Sequence, residues 1–342
     1  MLNSCKVISL FSGAGGMDLG FINQGFDIVW ANDIDSAAVE TYKHNIGDHI
    51  VLEDITKISE EDIPDGDIVV AGFPCQPFSN AGSRKGIYDS RGTLFEHALR
   101  IVKTKKPKFV LFENVRGILS IHNGELIERI KKELETMGYT VKYKLINASD
   151  YGVPQNRYRV IIMAFADGYT FEFPEPIAEK KALTIENTLK SISKNAKNQE
   201  RVRLSPQTEH LIKFIREGSS WKEIPYDKLP DRMKRIRNDM KRYHSPNFYR
   251  RFHRSEIMGT ITSSATPENS GIIHHADNRK YTVRECAKFQ TFPDNFVFLG
   301  SLSQQYKQVG NAVPPLLSEM LAATIKKQLA QHLLEAPILI RR

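Results

Sequence analysis

Residues Val7 to Phe21 read VISLFSGAGGMDLGF, and this stretch decides the predicted fold class. Its apolar start is typical of a buried strand, and its end is typical of a helix. Between them, Gly13, Gly15 and Gly16 permit backbone angles and a close approach that a side chain would block. Since the amino end of a helix offers free N–H groups to a ligand, the stretch predicts a small-molecule site where a strand turns into a helix.

Apolar runs rich in β-forming residues alternate with helix-like stretches through the first half of the chain. The candidate strands are Lys6 to Phe11, Asp27 to Asn32, Asp67 to Phe73, Lys108 to Glu113, Val141 to Asn147 and Tyr158 to Phe165. The candidate helices, with apolar residues three and four positions apart, are Ser36 to Asn45, Thr93 to Lys103 and Glu125 to Met137. This alternation predicts an α/β fold with a doubly wound, parallel sheet.

The domain organisation follows from the place where the alternation fails. With 342 residues, of which 41% are hydrophobic, the chain can form one large or two moderate domains. The strand pattern ends near Phe171, and an apolar helix pattern resumes after Gln308. We therefore expect one domain of residues 1–172 and 306–342 and a second, smaller domain of residues 173–305.

Cysteine content and hydropathy exclude several classes of protein. The three cysteines, Cys5, Cys75 and Cys286, form no CxxC pair, so neither a disulfide framework nor a thiolate zinc site is expected, and we expect no metal. No apolar run approaches the roughly 18 to 20 residues of a membrane helix, and the start of the chain lacks the pattern of a signal peptide. These features predict a cytoplasmic protein without a membrane partner.

The positive charge is concentrated in one segment. The net charge is +8, and residues Asn195 to Ser255 contain 16 basic and 7 acidic residues, so the rest of the chain is nearly neutral. Its densest part, Arg232 to Arg254, interleaves basic and aromatic residues, a pattern that favours a polyanionic partner. We name Lys234, Arg235 and Arg237 as candidate phosphate contacts. The alternative is an ordinary solvated basic surface.

Acidic residues follow two further predicted strands. Asp33 comes 17 residues after Gly16, where a carboxylate can accept hydrogen bonds from two ribose hydroxyls, and Asp54 can accept one from an amino group of a base. The spacing G-x-G-G is not the GxGxxG dinucleotide fingerprint, so a nucleoside ligand without phosphates is favoured over a nicotinamide cofactor. A tight turn without any ligand is the alternative.

A candidate nucleophile lies in GFPCQPFSNAG, from Gly72 to Gly82. Two prolines stiffen the loop around Cys75 directly after an apolar strand, at the edge where open parallel sheets place active sites. A free cysteine is more often an inert, buried group, and we assign that role to Cys5 and Cys286. For Cys75, the flanking prolines favour a nucleophilic thiol.

Two more blocks supply charged groups for the same edge. Glu113, in FENVRG, ends an apolar strand, where a buried carboxyl could hold and donate a proton; pairing with an arginine is the alternative. In DYGVPQNRYRV, Arg157 and Arg159 alternate on a predicted strand, which places both guanidinium groups on one face. One of them could bind a carbonyl oxygen or a carboxylate in the same cleft, although structural ion pairs are the commoner use. We name both as candidate catalytic residues, together with Cys75 and Glu113.

Taken in order, these blocks resemble the cytosine-5 DNA methyltransferases of bacterial restriction-modification systems. The matching blocks are FSGAGG, GFPCQPFS, ENVRG, QNRYRV, RECAKFQTFPD and QVGNAVPP. The resemblance covers nearly the whole chain and implies an S-adenosylmethionine-dependent methyltransferase sheet domain facing a smaller target-recognition domain across a DNA-sized cleft. The long basic insert between the blocks then corresponds to the recognition domain.

The resemblance also implies roles for single residues. Cys75 matches the family's nucleophile, Glu113 the carboxylate that engages the cytosine ring, and Arg159 the arginine that orients it. The positions that match the S-adenosylmethionine pocket are Phe11, Ala14, Gly16, Asp33, Ile34, Asp54, Ile55, Phe73, Leu94 and Asn311. Thr260 and Ile261 match the shared pair of the recognition domain and are expected at the DNA. Asp33 stands where many relatives carry Glu, which shortens the reach to the ribose.

The implied reaction is methylation of carbon 5 of a cytosine that is flipped out of duplex DNA. We expect a monomer whose partners are double-stranded DNA and, functionally, a restriction endonuclease from which it protects host DNA. Two rivals stay open at this point: an enzyme that methylates transfer RNA, and a nucleic-acid-binding protein on an inactive methyltransferase scaffold. The intact set of Cys75, Glu113 and Arg159 argues against the second.

Overall fold

The structure, a computed structural model, describes residues 5–74, 94–177, 179–239 and 247–339. They form two compact units. The sheet unit contains the described residues of Met1–Tyr151, Tyr158–Pro176 and Val313–Arg342; the insert unit contains those of Gly152–Arg157 and Ile177–Ala312. The sequence predicted that the second domain spans residues 173–305, whereas the insert unit spans residues 177–312. The insert unit also contains residues 152–157, which the prediction placed in the first domain.

A seven-stranded sheet forms the centre of the sheet unit. The strands are β1 (Lys6–Leu10), β2 (Asp27–Asp33), β3 (Ile50–Leu52), β4 (Ile68–Ala71), β5 (Phe109–Val115), β6 (Thr140–Asn147) and β7 (Tyr158–Phe165). Their order across the sheet is β3-β2-β1-β4-β5-β7-β6. The reversal of strand order at β1 is the topological switch point at which doubly wound sheets bind ligands, so the fold confirms the predicted α/β class.

The strand and helix alternation predicted a wholly parallel sheet, and this prediction is wrong for one strand. The first five strands in this order are parallel, but β7 runs antiparallel to both β5 and β6. No crossover helix separates β6 from β7, and a parallel pair needs one. The edge strand β3, with only three residues, was missed because so short a run shows no periodicity.

The helices of the sheet unit cover the sheet. They are α1 (Gly16–Asn23), α2 (Ser36–Asn45), α3 (Leu94–Lys105), α4 (Glu125–Thr136) and α11 (Pro315–Leu339). On one face, Phe95, Ala98 and Leu99 of α3 and Ile130 and Leu134 of α4 pack in one apolar cluster with inward side chains of β1, β4 and β5. Burial of this amphipathic pair of helices anchors the strands whose ends form the site.

Helix α1 packs against α11. A Cβ on Gly20 of α1 would lie 2.5 Å from the backbone nitrogen of Glu319 and 2.6 Å from the carbonyl oxygen of Pro315. The buried hydroxyl of Ser318 donates to the carbonyl of Met17 over 2.6 Å. The two helix backbones therefore approach so closely that only glycine fits at position 20.

The insert unit is built from short helices and irregular chain. Its helices are α5 (Ile185–Lys190), α6 (Pro206–Ile212), α7 (Asp231–Asn238), α8 (Pro267–Ser270), α9 (Val283–Phe289) and α10 (Leu302–Asn311). Its apolar core cluster contains Trp221, Leu211, Met233, Phe248 and Tyr249. In the part of the chain that the structure describes, each helix is too short or too polar to cross a bilayer.

Gly20→Ala is expected to destabilise the protein by about 1 to 3 kcal/mol, because the methyl group must push two helix backbones apart. In an open helix the same change is favourable by roughly 0.5 to 1 kcal/mol. The matched control is Gly117→Ala, since a Cβ there meets nothing nearer than Val115 at 3.9 Å. Urea denaturation measures both; equal midpoints for the two variants would contradict the tight packing of α1 on α11.

Candidate active site

The glycine-rich turn after β1 has a backbone conformation that most residue types disfavour. Phe11 has φ of 55°, a left-handed conformation that is rare for a bulky residue, and Gly13 and Gly15 have φ of 56° and 86°. The backbone of Ser12 holds the turn by donating to the carbonyl of Asn32 and by accepting from Gly15, both over 2.9 Å. Strain of this kind persists where the surroundings enforce it, and it is concentrated at ligand sites.

The two positive-φ glycines of the turn meet different surroundings. A Cβ on Gly15 would lie 2.2 Å from Cδ1 of Ile46 and 2.9 Å from the ring of Tyr42, so this glycine is required by packing. A Cβ on Gly13 would have no atom of the described chain within 4 Å. The turn is therefore packed on one side and open on the other, as a ligand cradle requires.

Asp33, at the end of β2, holds the turn and faces the same opening. Its Oδ2 accepts from the backbone N–H of Gly13 over 2.7 Å and its Oδ1 from that of Asp35 over 2.9 Å. Burial raises the pKa of this carboxyl, and the two N–H donors oppose that shift. Each carboxylate oxygen keeps a second lone pair, so the group can still accept from two ribose hydroxyls.

The other candidate cofactor residues of the sheet unit fall into polar and apolar groups. Phe11, Ile55, Phe73 and Leu94 all belong to, or pack on, the cluster between the sheet and α3. Ile34 follows Asp33 with 68% of its surface exposed, an unusual position for an aliphatic side chain.

Asp54 caps the short turn that follows β3, where its Oδ1 accepts from the backbone N–H of Thr56 over 2.9 Å. The hydrogen bonds from Thr56 lower the pKa of Asp54, so its carboxylate is an acceptor at neutral pH. Ala14 is buried, and Gly16 begins α1.

Arg100 of α3, which the sequence analysis missed, holds the turn that carries Asp54. Its Nη2 donates to the carbonyls of Ile55 and Ile58 over 2.7 and 2.6 Å, and its Nη1 lies 2.9 Å from the carboxylate of Glu60. A single arginine on a helix gives no sequence signal for contacts with a turn more than 40 residues away. The guanidinium fixes the turn against the helix that begins at Leu94.

These residues fit S-adenosylmethionine. An open cradle at Gly13, a carboxylate with spare acceptor capacity at Asp33, an exposed aliphatic side chain at Ile34 and a fixed acceptor at Asp54 match a ribose and an adenine ring. Asn311, assigned to the same ligand, ends α10 in the insert unit and is exposed.

The candidate nucleophile Cys75 lies outside the described residues, which resume at Leu94. The chain leading to it is well fixed. Asn114 of β5 donates from Nδ2 to the buried carbonyl of Phe73 over 2.9 Å. Asn114 was not singled out from the sequence, although it belongs to the ENVRG block. It joins the end of β5 to the segment that precedes Cys75.

Glu113 and Arg159 come together at the end of β5. Glu113 is 7% exposed, and its Oε1 lies 2.7 Å from Nε of Arg159 on β7. The geometry is an ion pair without a directed hydrogen bond, because Oε1 is buried with no hydrogen-bond partner among the described residues. Since buried polar atoms are normally paired, this oxygen is available to a ligand. A Cβ on Gly72 would lie 3.7 Å from Oε2, so Glu113 adjoins the segment that leads to Cys75.

Arg157 occupies a different environment from Arg159. Strand β7 begins at Tyr158, so Arg157 does not alternate with Arg159 on the strand as predicted. Its side chain is buried in the insert unit, where it donates to the carbonyls of Ile261, Gly310 and Ala312 over 2.9 to 3.0 Å. The guanidinium is engaged by backbone, which argues against the catalytic role assigned to Arg157.

Thr260 and Ile261 are held by the same part of the insert unit. The Thr260 hydroxyl donates to the carbonyl of Asn156 over 2.6 Å, and the backbone N–H of Ile261 donates to Oε1 of Gln155 over 3.0 Å. Ile261 is wholly buried, so its side chain offers no surface to DNA in this structure. Thr260 keeps its acceptor capacity, and its DNA contact stays a prediction.

The three basic candidates on α7 differ in accessibility. Arg237 donates to the carbonyls of Ile224, Trp221 and Lys222, and its guanidinium stacks 5.3 Å from the centroid of the Trp221 ring. Arg237 therefore contributes to the packing of the insert unit. Lys234 lies 3.6 Å from the carboxylate of Asp231, and Arg235 is exposed. Arg235 is the best placed of the three to meet a phosphate.

The comparisons with known proteins all indicate the same family. The model of the family described as C-5 cytosine-specific DNA methylase matches residues 5–327. The Type II methyltransferase M.NgoFVII of Neisseria gonorrhoeae is 39% identical over 324 residues, which cover 92% of this chain and 84% of that protein. The Type II methyltransferase M.FnuDI of Fusobacterium nucleatum is 36% identical over 345 residues and 95% of each chain.

Solved structures show the same fold. The methyltransferase EhMeth of Entamoeba histolytica superposes with a TM-score of 0.67 at 20% identity and covers 96% of this chain and 99% of its own. The Dnmt2 methyltransferase of S. pombe gives a TM-score of 0.61 at 20% identity, over 94% and 99% of the two chains. Given the family match over most of its length, this chain belongs to the C-5 cytosine-specific DNA methylases and is a DNA cytosine-5 methyltransferase.

Proposed function

We propose that this enzyme transfers the methyl group of S-adenosylmethionine to a cytosine that has been flipped out of duplex DNA, with Cys75 as its nucleophile. The observation that carries the proposal is the buried ion pair of Glu113 and Arg159: Oε1 of Glu113 faces Arg159 without a directed hydrogen bond, and Oε2 adjoins Gly72 in the segment leading to Cys75. A test is transfer of tritium from labelled S-adenosylmethionine to duplex DNA and, in parallel, to transfer RNA, followed by mapping of the modified cytosines.

The chemistry explains why a thiol is needed. Carbon 5 of cytosine is a weak nucleophile, and addition of the Cys75 thiolate at carbon 6 converts the ring to an enamine. Bound S-adenosylmethionine supplies an electrophilic methyl group to that carbon. Loss of the carbon 5 proton then allows elimination, which releases Cys75 and leaves the methylated base.

Glu113 and Arg159 are proposed to bind the ring while this occurs. The carboxyl group of Glu113 can donate a proton to ring nitrogen 3, which neutralises the negative charge that thiolate addition creates there, and it takes the proton back on elimination. Arg159 lies 2.7 Å away, so it fixes the carboxyl group and is near enough to bind the base's carbonyl oxygen as well. A stacked base cannot reach a buried carboxyl at a strand end, so the cytosine must leave the helix.

We assign recognition of the DNA to the insert, with residues 1–172 and 306–342 as the catalytic domain and residues 173–305 as the target-recognition domain. The basic surplus between Asn195 and Ser255 supports this division. Arg157 is then a positioning residue, because its guanidinium ties the segment of Thr260 to the end of α10, where Asn311 lies.

The biological setting is proposed from the relatives, which are Type II methyltransferases. We propose that the enzyme acts in the cytoplasm as a monomer and protects host DNA from a cognate restriction endonuclease. Resistance of DNA from cells that express the enzyme to one of a panel of endonucleases would identify the protected site.

Cys75 is expected to form a covalent adduct with duplex DNA that contains 5-fluorocytosine. Fluorine cannot leave as a cation, so the enzyme stays attached after thiolate addition and methyl transfer. Cys75→Ser should abolish the adduct, whereas Cys286→Ser, at a buried cysteine of α9, should retain it. Denaturing gel electrophoresis with labelled DNA measures the adduct, and its persistence in the Cys75 variant would remove the assignment.

Glu113→Gln is expected to lower kcat by about 10²- to 10⁴-fold, the usual contribution of a positioned proton donor. Binding of S-adenosylhomocysteine should change little, because Glu113 is placed at the base. The control is Glu133→Gln, at an exposed position of α4. Single-turnover methylation at saturating cofactor separates the effect on methyl transfer from any effect on cofactor binding. A rate of methyl transfer within a few-fold of wild type would exclude Glu113 from the chemistry.

Arg235→Ala is expected to reduce the slope of log binding constant against log salt concentration by about 0.9, the value for one phosphate contact. Lys43→Ala, at an exposed site of α2, is the control for loss of one positive charge. Arg237→Ala should instead lower the melting temperature, because three backbone carbonyls lose their donor. An unchanged slope for Arg235→Ala would make this residue part of a solvated surface.

A further inference from the structure

A carboxyl group lies buried next to the cofactor turn, and the reaction chemistry does not use it. Asp18, in the first turn of α1, is 0% exposed. Its Oδ1 accepts from the hydroxyl of Ser9 over 2.6 Å, and its Oδ2 accepts from the hydroxyl of Tyr42 over 2.7 Å. Burial raises the pKa of Asp18 to about 6, and the two hydroxyl donors oppose this shift. A buried charge is costly, so its retention needs a reason.

The hydrogen bonds continue from Asp18 into the glycine-rich turn. The Ser12 hydroxyl donates to Oγ of Ser9 over 2.9 Å and lies 3.1 Å from the Ser9 carbonyl. The backbone N–H of Asn32 donates to the same Ser12 hydroxyl over 3.3 Å. Because the carboxylate can only accept, it orients the Ser9 hydroxyl toward itself and leaves the Ser9 oxygen free to accept from Ser12.

The second donor to Asp18 supports the turn from the other side. The Tyr42 ring packs against Gly15, and the Tyr42 oxygen lies 3.0 Å from Nε2 of His49. Burial, with the charge of Asp18, raises the pKa of Tyr42, so its hydroxyl stays a donor to the carboxylate. Asp18 is thus the point where the two sides of the turn, Ser12 through Ser9 and Gly15 through Tyr42, are joined.

We propose that Asp18 is a positioning residue for the cofactor turn: through Ser9 and Ser12 its buried carboxylate fixes the open backbone of residues 11–15 in the form that binds S-adenosylmethionine. The inference rests on the proposed function, in which that turn holds the cofactor. Asp33 fixes the turn because its side chain accepts from the backbone N–H of Gly13, and Asp18 fixes it through the side chain of Ser12. The two carboxylates act on different atoms, so the loss of one is not compensated by the other.

The test measures binding of S-adenosylhomocysteine by calorimetry to wild type, Ser9→Ala, Asp18→Ala and Asp18→Asn, well below the melting temperature of each. Ser9→Ala should weaken binding about three- to tenfold, the range for one lost hydrogen bond, and Asp18→Ala by about tenfold or more. Asp18→Asn should recover most of the loss, since an amide oxygen can still accept from Ser9. The KM for S-adenosylmethionine should rise in parallel, with the KM for DNA unchanged.

The matched control is Ser318→Ala. It also removes a buried serine hydroxyl from the sheet unit, but that hydroxyl donates to the carbonyl of Met17 and not to the turn. Its affinity for S-adenosylhomocysteine should stay within about twofold of wild type, even where its melting temperature falls as far as that of Ser9→Ala.

The outcomes distinguish a failure of the positioning role of Asp18 from a failure of the proposed function. Wild-type affinity in Ser9→Ala would overturn the positioning role of Asp18, and so would an equal loss in Ser318→Ala, because the effect would then follow general stability. If Asp18→Ala fails to fold, Ser9→Ala and Asp18→Asn still decide the question. Failure of the wild-type protein itself to bind S-adenosylhomocysteine would instead contradict the proposed function.

Discussion

The pairing of β1 with β2 on one side and β4 on the other is the constraint on which the site depends. It brings the carboxyl ends of β1, β2 and β4 side by side, and β5 follows as the next neighbour of β4. The glycine-rich turn, Asp33 and the segment leading to Cys75 are each the continuation of one of these strands. Their distances are therefore set by strand spacing, which is about 4.8 Å, and not by loop conformation. A parallel sheet with covered faces keeps that edge rigid.

Three carboxylates of the sheet unit, of which Asp18 and Glu113 are buried and Asp33 is partly buried, are each stabilised in a different way. Asp18 receives two hydroxyl donors, Asp33 receives two backbone N–H donors, and Glu113 faces the guanidinium of Arg159 without a directed hydrogen bond. The first two are satisfied within the chain and serve to fix the turn. The third keeps an unsatisfied oxygen, which costs free energy in the absence of a ligand. That difference separates groups that shape a site from a group that binds substrate.

Much of the fold could be predicted from the sequence, because its strands and helices have strong periodicity and are bounded by glycine, proline and acidic caps. Helix α2 has the predicted bounds, and β7 begins and ends at the predicted residues. The lack of a predicted helix between β6 and β7 already indicated an antiparallel pair, and the alternation rule overlooked it. The place of β7 between β5 and β6 could not be predicted, since strand patterns do not encode which strands are neighbours. The partners of Arg100 and Asn114 were also missed, because long-range contacts from side chain to carbonyl leave no local pattern.

The arginines of the insert unit show the limit of charge counting. Arg157, Arg251 and Arg284 are buried, and their guanidinium groups donate to backbone carbonyls of distant segments. Arg237 does the same at partial burial. A unit with few regular strands leaves many carbonyls without ladder partners, and a guanidinium with five donors can satisfy several of them at once. Of these four arginines, Arg237 and Arg251 lie between Asn195 and Ser255, so part of the basic surplus of that segment is a consequence of the irregular fold. Only the exposed remainder, in which Arg235 lies, can contribute to the attraction of a polyanion.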